Sequence, residues 1–107
     1  MGRPPNHGDL EMVSRSARPR FERFAYSIGG RVETATRPVS SGGLPAIETV
    51  LAFRSDNGTE VADRLVSVFS GRAQYAVNCQ HARGAAERQR AVADGCDRIL
   101  ATFEPAP

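Results

Sequence analysis

The stretch Tyr75–Phe103, YAVNCQHARGAAERQRAVADGCDRILATF, carries the reading on which the fold depends. Its first residues alternate: Tyr75, Val77, Cys79 and His81 fall on one side, and Ala76, Asn78 and Gln80 on the other. That is the period of a strand. From about Gly84 to Phe103 the period lengthens to that of a helix, with Ala85, Gln89, Val92, Cys96, Ile99, Leu100 and Phe103 in one stripe. Gly95 inside it costs about 1 kcal/mol relative to alanine, which the stripe can absorb. An extended segment feeding an amphipathic helix implies a sheet for the helix to lie on.

Upstream, the spacing of Val61, Leu65, Val68 and Phe69, opened by Thr59 and stopped at Gly71, predicts a second helix. Ala46–Arg54 reads as a strand or as a helix started by Pro45. Its β-branched residues and the Ser-Asp-Asn-Gly turn that follows favour the strand. Phe24, Tyr26 and Ile28 alternate over Phe21–Ile28, and Val32, Thr34 and Thr36 alternate on a return strand ending at Pro38. Gly29-Gly30 between them predicts a hairpin. A three-residue loop, Gly29 to Arg31, is the register that leaves one coherent apolar side. Residues 38–45, PVSSGGLP, read as a linker.

The expected architecture is an α+β domain with an antiparallel-rich sheet of about four strands. The chain order is β-β-β-α-β-α, and two helices cover one face. Residues 1–19, with three prolines and two glycines, read as a flexible basic leader; residues 20–104 form the single domain and 105–107 a short tail.

Composition agrees with one small domain: 107 residues, 40% apolar and 24% charged. No apolar run approaches the roughly 18 residues of a membrane-spanning helix, and residues 1–11 are too polar for a signal peptide. The first six residues also lack the Ser or Thr of a myristoylation site. All 14 basic residues are arginine. Residues 1–24 hold five of them against three acids, and the remainder holds nine of each, so the net +2 sits at the N-terminal end. Arg15, Arg18, Arg20 and Arg23, interleaved with Phe21, Phe24 and Tyr26, make a candidate nucleic-acid arm. The charge is weak for a dedicated nucleic-acid binder.

Cys79-Gln80-His81 is the compact set of reactive side chains. On a strand, Cys79 and His81 point the same way with Cα atoms about 6–7 Å apart, as a thiolate–imidazole pair or two metal ligands would require. A metal would need a third ligand, with Cys96, His7 or an acid available. If the last helix doubles straight back along its strand, Cys79 and Cys96 end about 8 Å out of step. A disulfide does not allow that. Free thiols and a reducing, cytoplasmic setting are therefore expected.

The glycine pairs lack the lysine and helix start of a phosphate-binding loop, and Asp56–Glu60 lacks the spacing of a calcium loop. Glu87–Arg90 and Asp94–Arg98 read as ion pairs on an outer helix face. No catalytic motif, cofactor or metal site is implied. The leading expectation is a small non-enzymatic binding or regulatory module acting through protein–protein contact, with a second copy of the chain as a candidate partner and no membrane contact. The alternatives are nucleic-acid binding by the Arg15–Arg23 arm, and a small-molecule or enzyme site around Cys79 and His81.

Overall fold

Gly42 and Gly43 both take positive φ, 56° and 80°, between residues paired as Ser41↔Leu44. Two successive left-handed residues make the two-residue turn that suits the twist of a hairpin. The segment read as a linker is therefore the tip of the first hairpin. The structure, a computed structural model, describes residues 7–71, 73–83 and 86–102. Its elements are α1 (His7–Ser27), β1 (Arg31–Ser41), β2 (Leu44–Arg54), β3 (Glu60–Ser70), β4 (Ala73–Ala82) and α2 (Ala86–Ala101). The four strands form one antiparallel sheet in the order β1-β2-β3-β4, so every connection within it is a hairpin.

The α+β class and the four antiparallel strands are as expected; the chain order is α-β-β-β-β-α instead. Two elements account for the difference. Phe21–Ile28 is not a strand, and residues 7–19 are not a loose leader. Residues 7–27 form α1, whose buried side is Leu10, Ser14, Ala17 and Ala25, and Ile28 begins the turn after it. Small side chains at helical spacing let α1 settle on β1 and β2, although Pro19 removes one backbone donor from its interior.

The helix ends in paired backbone bonds, Gly30 N–H to Ala25 O and Gly29 N–H to Tyr26 O, with Gly29 at φ 71°. This is a Schellman cap. Gly29-Gly30 thus closes a helix rather than turning a hairpin.

Residues 60–70 form a strand, not the expected helix. On β3, Ala62, Val66 and Val68 face one way and Val61, Leu65 and Phe69 the other. Both sides are apolar because both faces of the sheet carry a helix, and a strand covered on two sides loses its alternation. Ala46, Val66 and Val68 meet Cys96 and Leu100 of α2 in one cluster, which Val39, Tyr75, Val77 and Cys79 extend. Residues of the opposite parity, Ile47, Ser67 and Phe69, line a groove with Val13, Ala17 and Phe21 of α1. Two helices are present, as expected in number, but α1 stands in place of the helix read over residues 59–70, and the two lie one on each face.

Beneath α1, the buried hydroxyls of Thr36 and Thr49 satisfy each other at 2.7 Å. Strand β4 and helix α2 are close to the sequence reading. Within α2, Cys96 and Leu100 form the buried seam, whereas Ile99, expected on it, is 56% exposed. The Val92 side chain, Phe103, and residues 105–107 read as a tail lie outside the described residues.

Candidate binding surface

Cys79 and Cys96 are joined in a disulfide, with Cα atoms 6.1 Å apart. The expectation of free thiols is overturned. Its premise was a helix running straight back along β4, but α2 crosses the sheet obliquely. Cys96 sits over Cys79, Asp97 reaches Arg64 on β3, and the Leu100 carbonyl accepts the Ser41 hydroxyl at the end of β1. The oblique path removes the mismatch in height. Cys79 and His81 do share a side of β4, as the alternation requires. With its sulfur bonded to Cys96, however, Cys79 offers neither a nucleophile nor a ligand. No cluster of three or more potential metal ligands exists among the described residues, and the His7 side chain lies outside them.

The four arginines of the expected arm are carried by α1, and about 100° per residue spreads them around it. Arg18 flanks the buried side toward β1, where its Nε donates to Thr36 O at 2.9 Å. Arg20 lies on the other flank beside the groove, Arg15 farther round past Arg18, and Arg23 on the side away from the sheet. They do not form one stripe. Their aromatic neighbours are not the core of a hairpin: Phe24 is 50% and Tyr26 85% exposed.

The face under α2 is laced by ions. Arg64 donates to Glu48 at 2.8 Å and to Asp97 at 2.5 Å, and Arg37 approaches Glu48 at 3.6 Å. Burial alone would lower the Arg64 pKa. The hydrogen bond to Asp97 and the charge of Glu48 outweigh it and hold the guanidinium above its ordinary value. Asp97, not Asp94, is the described carboxylate of α2 that finds an arginine. The Glu87 side chain of the other expected helix pair lies outside the described residues.

At the far end of this face Arg31 reaches Glu60 at 2.6 Å, and Arg83 pairs with Glu33. These contacts hold both carboxyls below the usual carboxylate range, Glu33 chiefly through the Arg83 hydrogen bond and Glu60 chiefly through that of Arg31. A lattice of this kind is structural. Its charges are spent on one another.

Two features remain open. One is the groove on the α1 side, about 470 Å³ in volume, with an apolar floor of Ile47 and Phe69 and a wall from α1. The other is the outer edge of β4, to which no backbone group of the described residues bonds. No protein family, curated protein or solved structure matches the chain.

The two edges of the sheet differ in kind. The register of β1 is broken between Val32 and Thr34 and again between Thr34 and Arg37, and the strand carries Arg31, Glu33, Arg37 and Pro38. Bulges, charges and proline are the devices that keep an edge from pairing. β4 has none of them. Its ten residues, AQYAVNCQHA, contain no proline, arginine or acid and hold an unbroken register against β3. The sequence reading missed this contrast because it did not establish which strands lie at the edges. The groove was hidden by the assignment of Phe21 and Phe24 to a strand, although the spacing of Val13, Ala17, Phe21 and Phe24 was its helical signal.

Proposed function

We propose that this chain is a non-enzymatic binding module that associates through β4, pairing antiparallel with β4 of a second copy. The observation that carries this reading is the unprotected edge of β4 in a sheet whose other edge is bulged and charged. A two-fold axis through Val77 or Asn78 sets uncharged side chains against one another along the whole strand. On the α1 side the partners would be Gln74, Ala76, Asn78 and Gln80. Such pairing draws its affinity from main-chain hydrogen bonds and is the isologous contact of a closed dimer.

The Cys79–Cys96 disulfide favours an oxidising compartment over the cytoplasmic setting expected from free thiols. Against the nucleic-acid alternative stands the spread of Arg15, Arg18, Arg20 and Arg23 around α1. Against a site at Cys79 and His81 stands the bonded sulfur.

Sedimentation over a micromolar-to-millimolar series tests the association. The average mass should rise toward twice the 11.5 kDa of the monomer. Alternate β4 amides should become protected from hydrogen exchange as it does. Asn78→Lys sets two like charges near the axis at an exposed position and should weaken the dimer tenfold or more while leaving the monomer folded. A mass independent of concentration, or a dimer indifferent to Asn78→Lys, overturns the proposal.

A further inference from the structure

The groove on the α1 side joins an apolar interior to polar groups that lack partners. Phe21 and Phe24 descend from the helix, and Ile47 and Phe69 rise from β2 and β3. Arg20, Ser67 and Gln74 complete the lining. None of these three side chains has a hydrogen bond or ion pair among the described residues. Arg18, two residues away, is bound to Thr36 O. Arg20 is left exposed at the mouth of the groove, and no carboxylate belongs to the lining.

This arrangement specifies an occupant. About 470 Å³ falls in the range of small-molecule sites, roughly 300–1,000 Å³. An apolar floor with a few convergent polar groups is the usual make-up of such sites. The guanidinium provides donors only, in a fork matched to a carboxylate. The Ser67 hydroxyl and the Gln74 amide add further donors. A positive charge at the rim and an aromatic interior suit a molecule with one acidic end and an apolar body.

We propose that the groove binds a small apolar monocarboxylate, aliphatic or aromatic, with its body among Phe21, Phe24, Ile47 and Phe69 and its carboxylate on Arg20. The site is formed within one copy of the chain, so it does not depend on pairing through β4.

The experiment uses the full oxidised chain and four probes: octanoate, phenylbutyrate, octanol and octyltrimethylammonium. Amide shifts are followed by NMR. Octanoate should bind saturably at one site, with shifts confined to residues 13–24 and to the neighbourhoods of Ile47, Ser67, Phe69 and Gln74. Phenylbutyrate reports whether an aromatic body is accepted equally. Octanol should bind at least tenfold more weakly, and octyltrimethylammonium more weakly still.

Arg20→Gln, at an exposed position, should cost octanoate about tenfold in affinity and leave octanol unchanged. That difference corresponds to one factor-of-ten step in binding. Phe24→Ala should weaken both. Equal binding of octanoate and octanol, an Arg20→Gln variant with undiminished octanoate affinity, or shifts that never saturate would each overturn the proposal. An unchanged circular dichroism spectrum for both variants separates loss of binding from loss of fold.

Discussion

Arg83, one residue beyond β4, donates through both terminal guanidinium nitrogens, Nη1 and Nη2, to the carboxylate of Glu33 on β1, so an ion pair links the two edges of the sheet. On the same face Arg31 of β1 pairs with Glu60 of β3 across β2. The intervening residues are Ala52 and Ala62, both buried. Their small side chains leave room for long charged ones to meet above them, and the stems of those arginines cover the alanines in turn. Replacing either alanine by a larger apolar residue would hold the charges apart.

The Glu33 carboxyl titrates below the ordinary carboxylate range because Arg83 bonds its charged form. A group whose folded pKa is depressed contributes stability that is complete above its unfolded value and is lost as pH falls through the folded one. Stability should therefore decline below about pH 4.3, the ordinary glutamate value. Glu33→Gln should flatten part of that decline. At neutral pH the same substitution should cost about 1 kcal/mol or less, since the pair is screened by solvent. Urea denaturation of both proteins at pH 3 to 7 measures the difference. Parallel curves would refute the assignment.

The disulfide ties an edge strand to a helix whose described seam is short, Cys96 and Leu100. Closing a loop of 17 residues restricts the unfolded chain by about 3 kcal/mol. Reduction, or the paired change of Cys79 and Cys96 to serine, should lower stability by about that amount. The serines add to the cost at the buried Cys96 position. Hydrogen exchange should show α2 and β4 loosening before β1 and β2. Equal urea midpoints with and without reductant would contradict this.

The two glycines that close α1 do different work. Gly29 has open space around it but sits at φ 71°, so Gly29→Ala should cost about 1 kcal/mol through backbone conformation alone. At Gly30 an added Cβ would lie 2.4 Å from the Ala52 carbonyl oxygen and 2.9 Å from Phe53 Cβ. Backbone would have to move, so Gly30→Ala should cost more, about 2–3 kcal/mol. Thermal denaturation of the two variants ranks them directly. The reverse order would mean that the helix end does not rest on β2 as described.

Strand β4 and helix α2 were legible because each keeps a clean period: β4 leaves alternate residues exposed, and α2 has a polar outer side. The same logic failed at β3, where Val61, Leu65, Val66, Val68 and Phe69 include residues of both faces and mimic a helical stripe. It failed at α1 for the opposite reason. The side of α1 against the sheet is built on Ser14, Ala17 and Ala25, which carry little hydrophobic signal, while the conspicuous Tyr26 stands outside and Phe24 is half-exposed at the groove. A glycine pair permits a turn and a helix cap alike, so Gly29-Gly30 reads as a hairpin turn where it caps a helix, and Gly42-Gly43 reads as part of a linker where it turns a hairpin. The disulfide depended on the crossing angle of α2, a tertiary quantity that spacing along the chain does not contain.

Ser14 on α1 offers a test in the stabilising direction. Its side chain is fully buried and its hydroxyl has no hydrogen-bond partner among the described residues. A hydroxyl removed from water without a partner costs about 1–3 kcal/mol on mutational scales. Alanine is also the better helix former, by a few tenths of a kcal/mol. Ser14→Ala removes the unpaired group and leaves a void no larger than one oxygen atom. It should therefore stabilise the domain by about 1 kcal/mol, which for roughly 100 residues raises the melting midpoint by about 4–8 °C. Calorimetry of the two proteins under oxidising conditions decides the matter. A lower midpoint for Ser14→Ala would mean that the hydroxyl is bonded in solution and that α1 lies differently on β1 and β2.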